Sequence, residues 1–269
     1  MKSEVLCIVV FPVFRSLKEQ ERLFLQQGVL MTEGFEKVFI APESFIFDDS
    51  FNGLEDIEVR RFPDMYFEGI TGYNELMLSP QFYRCFSDYK YILIHQTDVY
   101  LFQSQLQYWC DKGYDYIGAP WMKPKKLKRE KFYRFILKYI PGIYSIHKRK
   151  LHECYNEVGN GGFSLRKINT FIDILESTRN RKKLELYRER LEADTLYNED
   201  IFFSIEGPRL FKGFRKPKWD EAALFSMETF ASYLYNYTGN QLPFGCHAPA
   251  VYEPSFWEKF IPVKFKKDE

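Results

Sequence analysis

The run KYILIHQTDVYLF, Lys90 to Phe102, is apolar enough for a strand buried on both faces, yet it carries Asp98. A carboxylate there is costly unless it is paired, hydrogen-bonded or bound to a metal, so Asp98 either lies just past the strand end or has a cation to hold. An Asp capping a turn is an equally common reading. In VGNGGFSLR, the residues Gly159, Asn160, Gly161 and Gly162 allow positive φ and close backbone approach, and their amides could face a ligand. A tight hairpin turn would use the same residues. The spacing matches neither a dinucleotide fingerprint nor a P-loop. Asn198-Glu199-Asp200 sets two acids before the apolar run Ile201-Phe202-Phe203, where the helix dipole favours acids with or without chemistry. His247, in LPFGCHAP (Leu242 to Pro249), is either a ligand or a buried structural histidine.

The elements that must position these residues alternate between the two periods. Glu4 to Val13, Lys37 to Ala41, Ile57 to Phe62, Tyr89 to Ile94 and Tyr114 to Gly118 read as strands. Leu17 to Met31, Glu75 to Phe86 around Pro80, Ser104 to Cys110, Ile168 to about Arg179 and the charged stretch Arg181 to Leu196 read as helical. This βαβ rhythm predicts an α/β fold, a single domain over 1–269 with a mainly parallel central sheet flanked by helices. Ligands would then sit beyond the carboxyl ends of the strands, where the fourth strand delivers Gln96 and Asp98.

Composition narrows the function classes. With 45% hydrophobic and 28% charged residues the chain is globular, not disordered. No segment approaches the ~18 apolar residues of a membrane span. The N-terminal MKSEVLCIVVFPVF suits a first buried strand better than a signal peptide, since no small-residue cleavage site follows it. Five widely spaced cysteines without a CxxC pair point to reduced thiols and a cytoplasmic setting, and away from a disulfide framework or a zinc site. Aromatics reach 19%, and most of these rings must be core.

A basic aromatic insert at about 122–152 interrupts the rhythm. Between Lys123 and Lys150 there are eleven Lys and Arg against the single acid Glu130, a local charge of +10. Phe132, Phe135, Ile136, Tyr139 and Ile140 share one helical face opposite Lys131, Arg134 and Lys138, until Pro141 and Gly142 end the helix. Such a segment is either a packed helix with a solvated face or an interfacial element that meets an anionic membrane surface through residues 123–150. The tail WEKFIPVKFKK repeats the chemistry on a smaller scale. No nucleic-acid-binding module surrounds the patch.

In this order, the stretches YNELMLSPQFY, YILIHQTDVYLF, GYDYIGAPW, VGNGGFSLRK, NEDIFFS and LPFGCHA resemble a bacterial family of GT-A-like glycosyltransferase domains of unknown function, over roughly Tyr73 to Trp257. The resemblance implies a GT-A-like fold of the nucleotide-diphospho-sugar transferase type. It also implies transfer of a sugar from a nucleotide-sugar donor, a UDP-sugar foremost, to a glycan or lipid-linked acceptor in bacterial surface polysaccharide or glycoconjugate synthesis. In it Asp98 and His247 would bind a divalent cation, Mn²⁺ or Mg²⁺. Gln96, Asp98, Gly159, Asn160, Gly161 and Gly162 would line donor and acceptor. Asp200, with Glu199 as the alternative, would be the catalytic base of an inverting reaction at the inner face of the membrane. This sequence departs from the usual Asp-x-Asp motif, since Gln96-Thr97-Asp98 keeps only the last acid. Two other functions fit the same pattern, a catalytically silent sugar-binding module and a sugar nucleotidyltransferase. The latter normally has a glycine- and basic-rich loop after its first strand, and Val10 to Phe14 contains no glycine.

Overall fold

A computed structural model describes residues 5–123 and 146–265. Most of the basic insert, including its predicted aromatic face, lies outside the described residues. The fold is mixed α/β. Its six-stranded sheet has the order β3-β2-β1-β4-β9-β6, built from β1 (Val5–Pro12), β2 (Glu36–Pro42), β3 (Glu58–Phe62), β4 (Tyr89–His95), β6 (Tyr116–Ile117) and β9 (Phe163–Lys167). The first four strands in chain order run parallel, and β9 is antiparallel to both β4 and β6.

The central strands are apolar on both faces because helices cover both. In β1, Cys7, Val9 and Phe11 enter one core cluster while Ile8 and Val10 enter the other, and in β4 Leu93 and Ile94 divide in the same way. The helix Ile168–Glu176 buries Ile168, Phe171, Ile172 and Leu175 at helical spacing. The predicted helix across Glu75 to Phe86 is two helices, Gly69–Met77 and Pro80–Arg84. Pro80 disfavours the helical conformation at Ser79 and opens the second helix at its first position. The charged helix ends at Arg188, well short of Leu196.

A second, three-stranded sheet, β10-β11-β5, consists of β5 (Val99–Leu101), β10 (Ser226–Met227) and β11 (Gly245–His247). The tail packs beneath it: Trp257 and Ile261 are buried and Phe102 stacks on Trp257 at 5.5 Å between ring centroids. The aromatics of the tail are therefore core, which removes that segment as a smaller copy of the insert. A third pair joins β7 (Pro120–Trp121) to β8 (Glu157–Val158).

The chain steps outward from β1 to β2 to β3 and then returns to place β4 on the other side of β1. At such a reversal the loops leaving the two strands diverge and open a crevice. The candidate site lies there.

Candidate active site

Asp98 sits past the end of β4, in a turn closed by the Val99 N–H on the Gln96 carbonyl at 3.2 Å. The cost of a carboxylate within the strand is avoided, and His95 takes the last strand position instead. Burial pushes His95 down to about 4, so it is a neutral core residue, with Nδ1 3.0 Å from the Gln96 carbonyl. A Cβ on Gly28 would lie 2.6 Å from its Nε2, so a glycine in the facing helix makes room for the ring.

The second sheet brings His247 to Asp98. β11 pairs antiparallel with β5, His247 opposite Val99, and the Ala248 N–H donates to the Asp98 carbonyl at 3.0 Å. His247 Nε2 then lies 3.3 Å from Asp98 Oδ1, and Nδ1 lies 2.7 Å from Glu228 Oε1. Burial alone would lower the His247 pKa, but the two carboxylates push it up to about 10. Burial would raise the Asp98 carboxyl, and the hydrogen bond and charge of His247 outweigh it, holding Asp98 below the usual carboxylate range.

The loop after β8 closes the third side. It is not a hairpin turn, because β8 pairs with β7 while β9 pairs with β4 and β6. Nor do Gly159, Gly161 and Gly162 adopt positive φ. They are glycines for want of space: a Cβ would lie 2.6 Å from Trp121 at Gly159, 2.9 Å from Glu199 Oε1 at Gly161, and 2.2 Å from His247 Nε2 at Gly162. Asn160 fixes the loop by accepting the N–H groups of Gly162 and Phe163 on its side-chain oxygen at 2.8 and 2.7 Å. Tyr73 donates to the Gly161 carbonyl at 2.8 Å.

The adjacent acids differ in environment. Glu199 is buried, and its two oxygens take a bidentate pair from the equally buried Arg166 at 2.9 and 3.0 Å. Arg166 also donates to Ser164 and Tyr83, and the Asn74 side chain accepts the Glu199 N–H at 2.6 Å. Asp200 is only part-buried, and its side-chain contact is with the Ile201 N–H at 2.8 Å. Burial, reinforced by the negative charge of Glu199, pushes the Asp200 carboxyl up to about 7. The helical run that these acids open passes into a π-helical turn, Phe202–Glu206, a feature frequent beside functional sites.

Gln96, Asp98, Asn160, Gly161, Gly162, Glu199, Asp200 and His247 all line one pocket of about 600 Å³. Gly159 does not; it seats Trp121, which does. Sequence reasoning missed several lining residues. Arg15, in the loop after β1, is held by Glu21 at 2.6 and 2.8 Å. Its signal was the cation and aromatics of FPVFR directly after a strand. Tyr73 and Asn74 lie in a stretch used only for resemblance, and Glu228 follows a two-residue strand that has no readable period.

Among the described residues no cluster of three or more His, Cys, Asp or Glu side chains could by itself hold a metal ion. Asp98 and His247 nevertheless fit a shared cation. A carboxylate oxygen and a ring nitrogen converge at 3.3 Å, and Glu228 holds the opposite ring nitrogen. Two protein ligands suit a hard cation that takes its remaining oxygens from a diphosphate and water.

Residues 56–247 match the family described as protein of unknown function (DUF5672), and the chain belongs to that family. No curated protein matches the sequence. Among solved structures the chain is similar to the galactosyltransferase LgtC in complex with donor and acceptor sugar analogs, at 12% identity over 89% of this chain and 86% of that one, with a TM-score of 0.45. It is also similar to apo mouse xyloside xylosyltransferase 1, at 12% identity over 89% of this chain and 96% of that one, TM-score 0.48. A glycosyltransferase involved in glycosylation of the major capsid of PBCV-1 aligns at 11% identity over 96% and 100% of the two chains, TM-score 0.46. At such scores the likeness is distant.

Proposed function

We propose that the protein is a glycosyltransferase, a single catalytic domain that moves a sugar from a nucleotide-sugar donor to an acceptor hydroxyl. The observation that carries this reading is the convergence of Asp98, His247 and the part-buried Asp200 on one pocket at the β1/β4 reversal. Asp98 and His247 Nε2 would hold Mn²⁺ or Mg²⁺, which when bound offsets the charge developing on the diphosphate as the sugar leaves. Glu228 keeps His247 turned so that Nε2 faces Asp98. Asp200 takes the proton of the acceptor hydroxyl, and a carboxyl near neutrality is well matched to that task. The acceptor oxygen forms the new bond to the anomeric carbon, the bond to the diphosphate breaks, and the nucleoside diphosphate departs with the electron pair. Attack from the face opposite the leaving group makes the reaction inverting.

A UDP-sugar is the first donor to test, and a glycan or lipid-linked glycan the acceptor. No helix of the described residues is long and apolar enough to cross a membrane. Residues 123–150 would hold a cytoplasmic enzyme at the anionic inner face of the membrane through their +10 charge. The deciding experiment is a panel of nucleotide sugars screened for binding and slow hydrolysis with and without Mn²⁺. Binding and hydrolysis of at least one donor, both lost in EDTA, are expected. A blank panel rejects the reading, and binding without hydrolysis or transfer would make the protein a silent sugar-binding module.

A further inference from the structure

The helix Gly69–Met77 faces the pocket along one line of side chains. Ile70, Tyr73 and Asn74 are spaced i, i+3 and i+4, so they lie together, and all three line the pocket. Asn74, at the inner end, is buried and holds the Glu199 N–H, and Tyr73 holds the Gly161 carbonyl. Ile70, about 5.4 Å nearer the helix start, is 68% exposed. This face therefore runs from the acid pair to the pocket mouth.

Beside the exposed Arg15, the mouth carries large apolar side chains. Phe14, in the loop after β1, lines the pocket at 54% exposure, Tyr252 lines it from the C-terminal region, and Met65 and Val251 stand exposed beside these lining segments. The lip is firmly set. A Cβ on Gly72 would lie 2.2 Å from the Met65 carbonyl, so that loop rests directly on the helix, and the Asp64 side chain accepts the Ser44 N–H at 3.0 Å. Large apolar side chains kept in water on fixed backbone, continuous with a polar pocket, mark a binding surface.

We propose that this lip receives the apolar aglycone of the acceptor. The acceptor is then a sugar carrying an alkyl or aryl group, its reactive hydroxyl at Asp200 and its aglycone over Ile70 and Phe14. This rests on the glycosyltransferase reading and narrows its acceptor to amphiphilic glycosides. A monosaccharide ring is comparable in length to one helical turn, so the aglycone begins at the first or second sugar.

The test is calorimetric binding of matched methyl and octyl glycosides of glucose, galactose and N-acetylglucosamine to the full chain, below the micellar concentration. In at least one pair the octyl member binds about 10-fold tighter or more, since burial of two methylenes already supplies that factor. In Ile70→Ser and in Phe14→Ser the octyl-to-methyl ratio falls toward one. Equal binding within every pair overturns the proposal, as does an octyl preference that survives both substitutions. Binding to glycoside-free vesicles without any octyl preference overturns it too, since the lip would then be a membrane contact. Indifference to the octyl chain beside an active donor panel sinks the lip alone. An octyl preference beside a blank donor panel leaves an amphiphile-binding protein and sinks the enzyme.

Discussion

Two charged clusters meet the same pocket and behave differently. Arg166 and Glu199 are almost wholly removed from water, and the arginine is shared among Glu199, Ser164 and Tyr83 at 2.9 to 3.0 Å. In the Asp98-His247-Glu228 cluster Asp98 remains 42% exposed, and one imidazole serves two carboxylates while Gln96 and Asn160 crowd the same ring at 3.4 and 3.3 Å. A desolvated pair with its hydrogen bonds matched is a structural pin, and losing one partner is severe. A cluster with an exposed acid and a crowded ring is suited to rearrange around a ligand. The contrast also separates the neighbours Glu199 and Asp200: the pin fixes where the helix begins, and the acid one position later is left to the pocket.

The largest expected effect comes from breaking the pin. Arg166→Met leaves Glu199 buried without a counter-charge and should cost about 3–5 kcal/mol. Thermal unfolding should show Tm falling by roughly 10 °C, and an unchanged Tm would mean that the pair is dispensable. Next is Asp200→Asn, expected to lower kcat by about 10²-fold or more with little change in donor affinity. Because a base must be deprotonated, and Asp200 is pushed up to about 7, wild-type kcat should rise with pH through that region. A pH-independent kcat, or a variant that loses donor affinity alone, would make Asp200 a binding residue.

The open cluster should give functional losses without structural ones. Asp98→Asn should reduce activity by ~10²-fold while Tm stays within a few degrees of wild type; full activity of this variant in EDTA would remove Asp98 from any metal site. The smallest effect is expected for Glu228→Gln, which keeps the shape but weakens the hold on His247. Mn²⁺ affinity measured by titration should fall about 10-fold, and unaltered affinity would mean that the imidazole needs no such support.

The parallel strands β1, β2 and β4 were legible because they are long, apolar and separated by helical spacing, whereas β9 was read only as part of a glycine loop. The candidate residues were ambiguous one by one, since turns and helix starts use the same types, and it was their order along the chain, through its resemblance to a family, that singled them out. Their reasons were not legible. The glycines at 161 and 162 suggested backbone freedom, whereas Glu199 and His247, distant in sequence, set the need for them. Choosing between Glu199 and Asp200 depends on Arg166, which the sequence showed only at the end of a glycine loop and which the structure places on β9. Glu228 was invisible because it belongs to an isolated bridge with Phe230, whose φ of 56° follows no strand or helix period. The tail looked interfacial by composition, and only the second sheet above it reveals a core.

The pairing of β11 with β5 has a consequence for how the protein is made. His247 reaches Asp98 only after almost the whole described chain has been synthesised, across a separation that folds among the slower contacts. A ribosome-bound chain could complete β1 to β4 and the glycine loop early, yet its pocket would lack the His247 wall. That wall arrives late, with the docking of three residues, Gly245 to His247, against a strand that has waited for them.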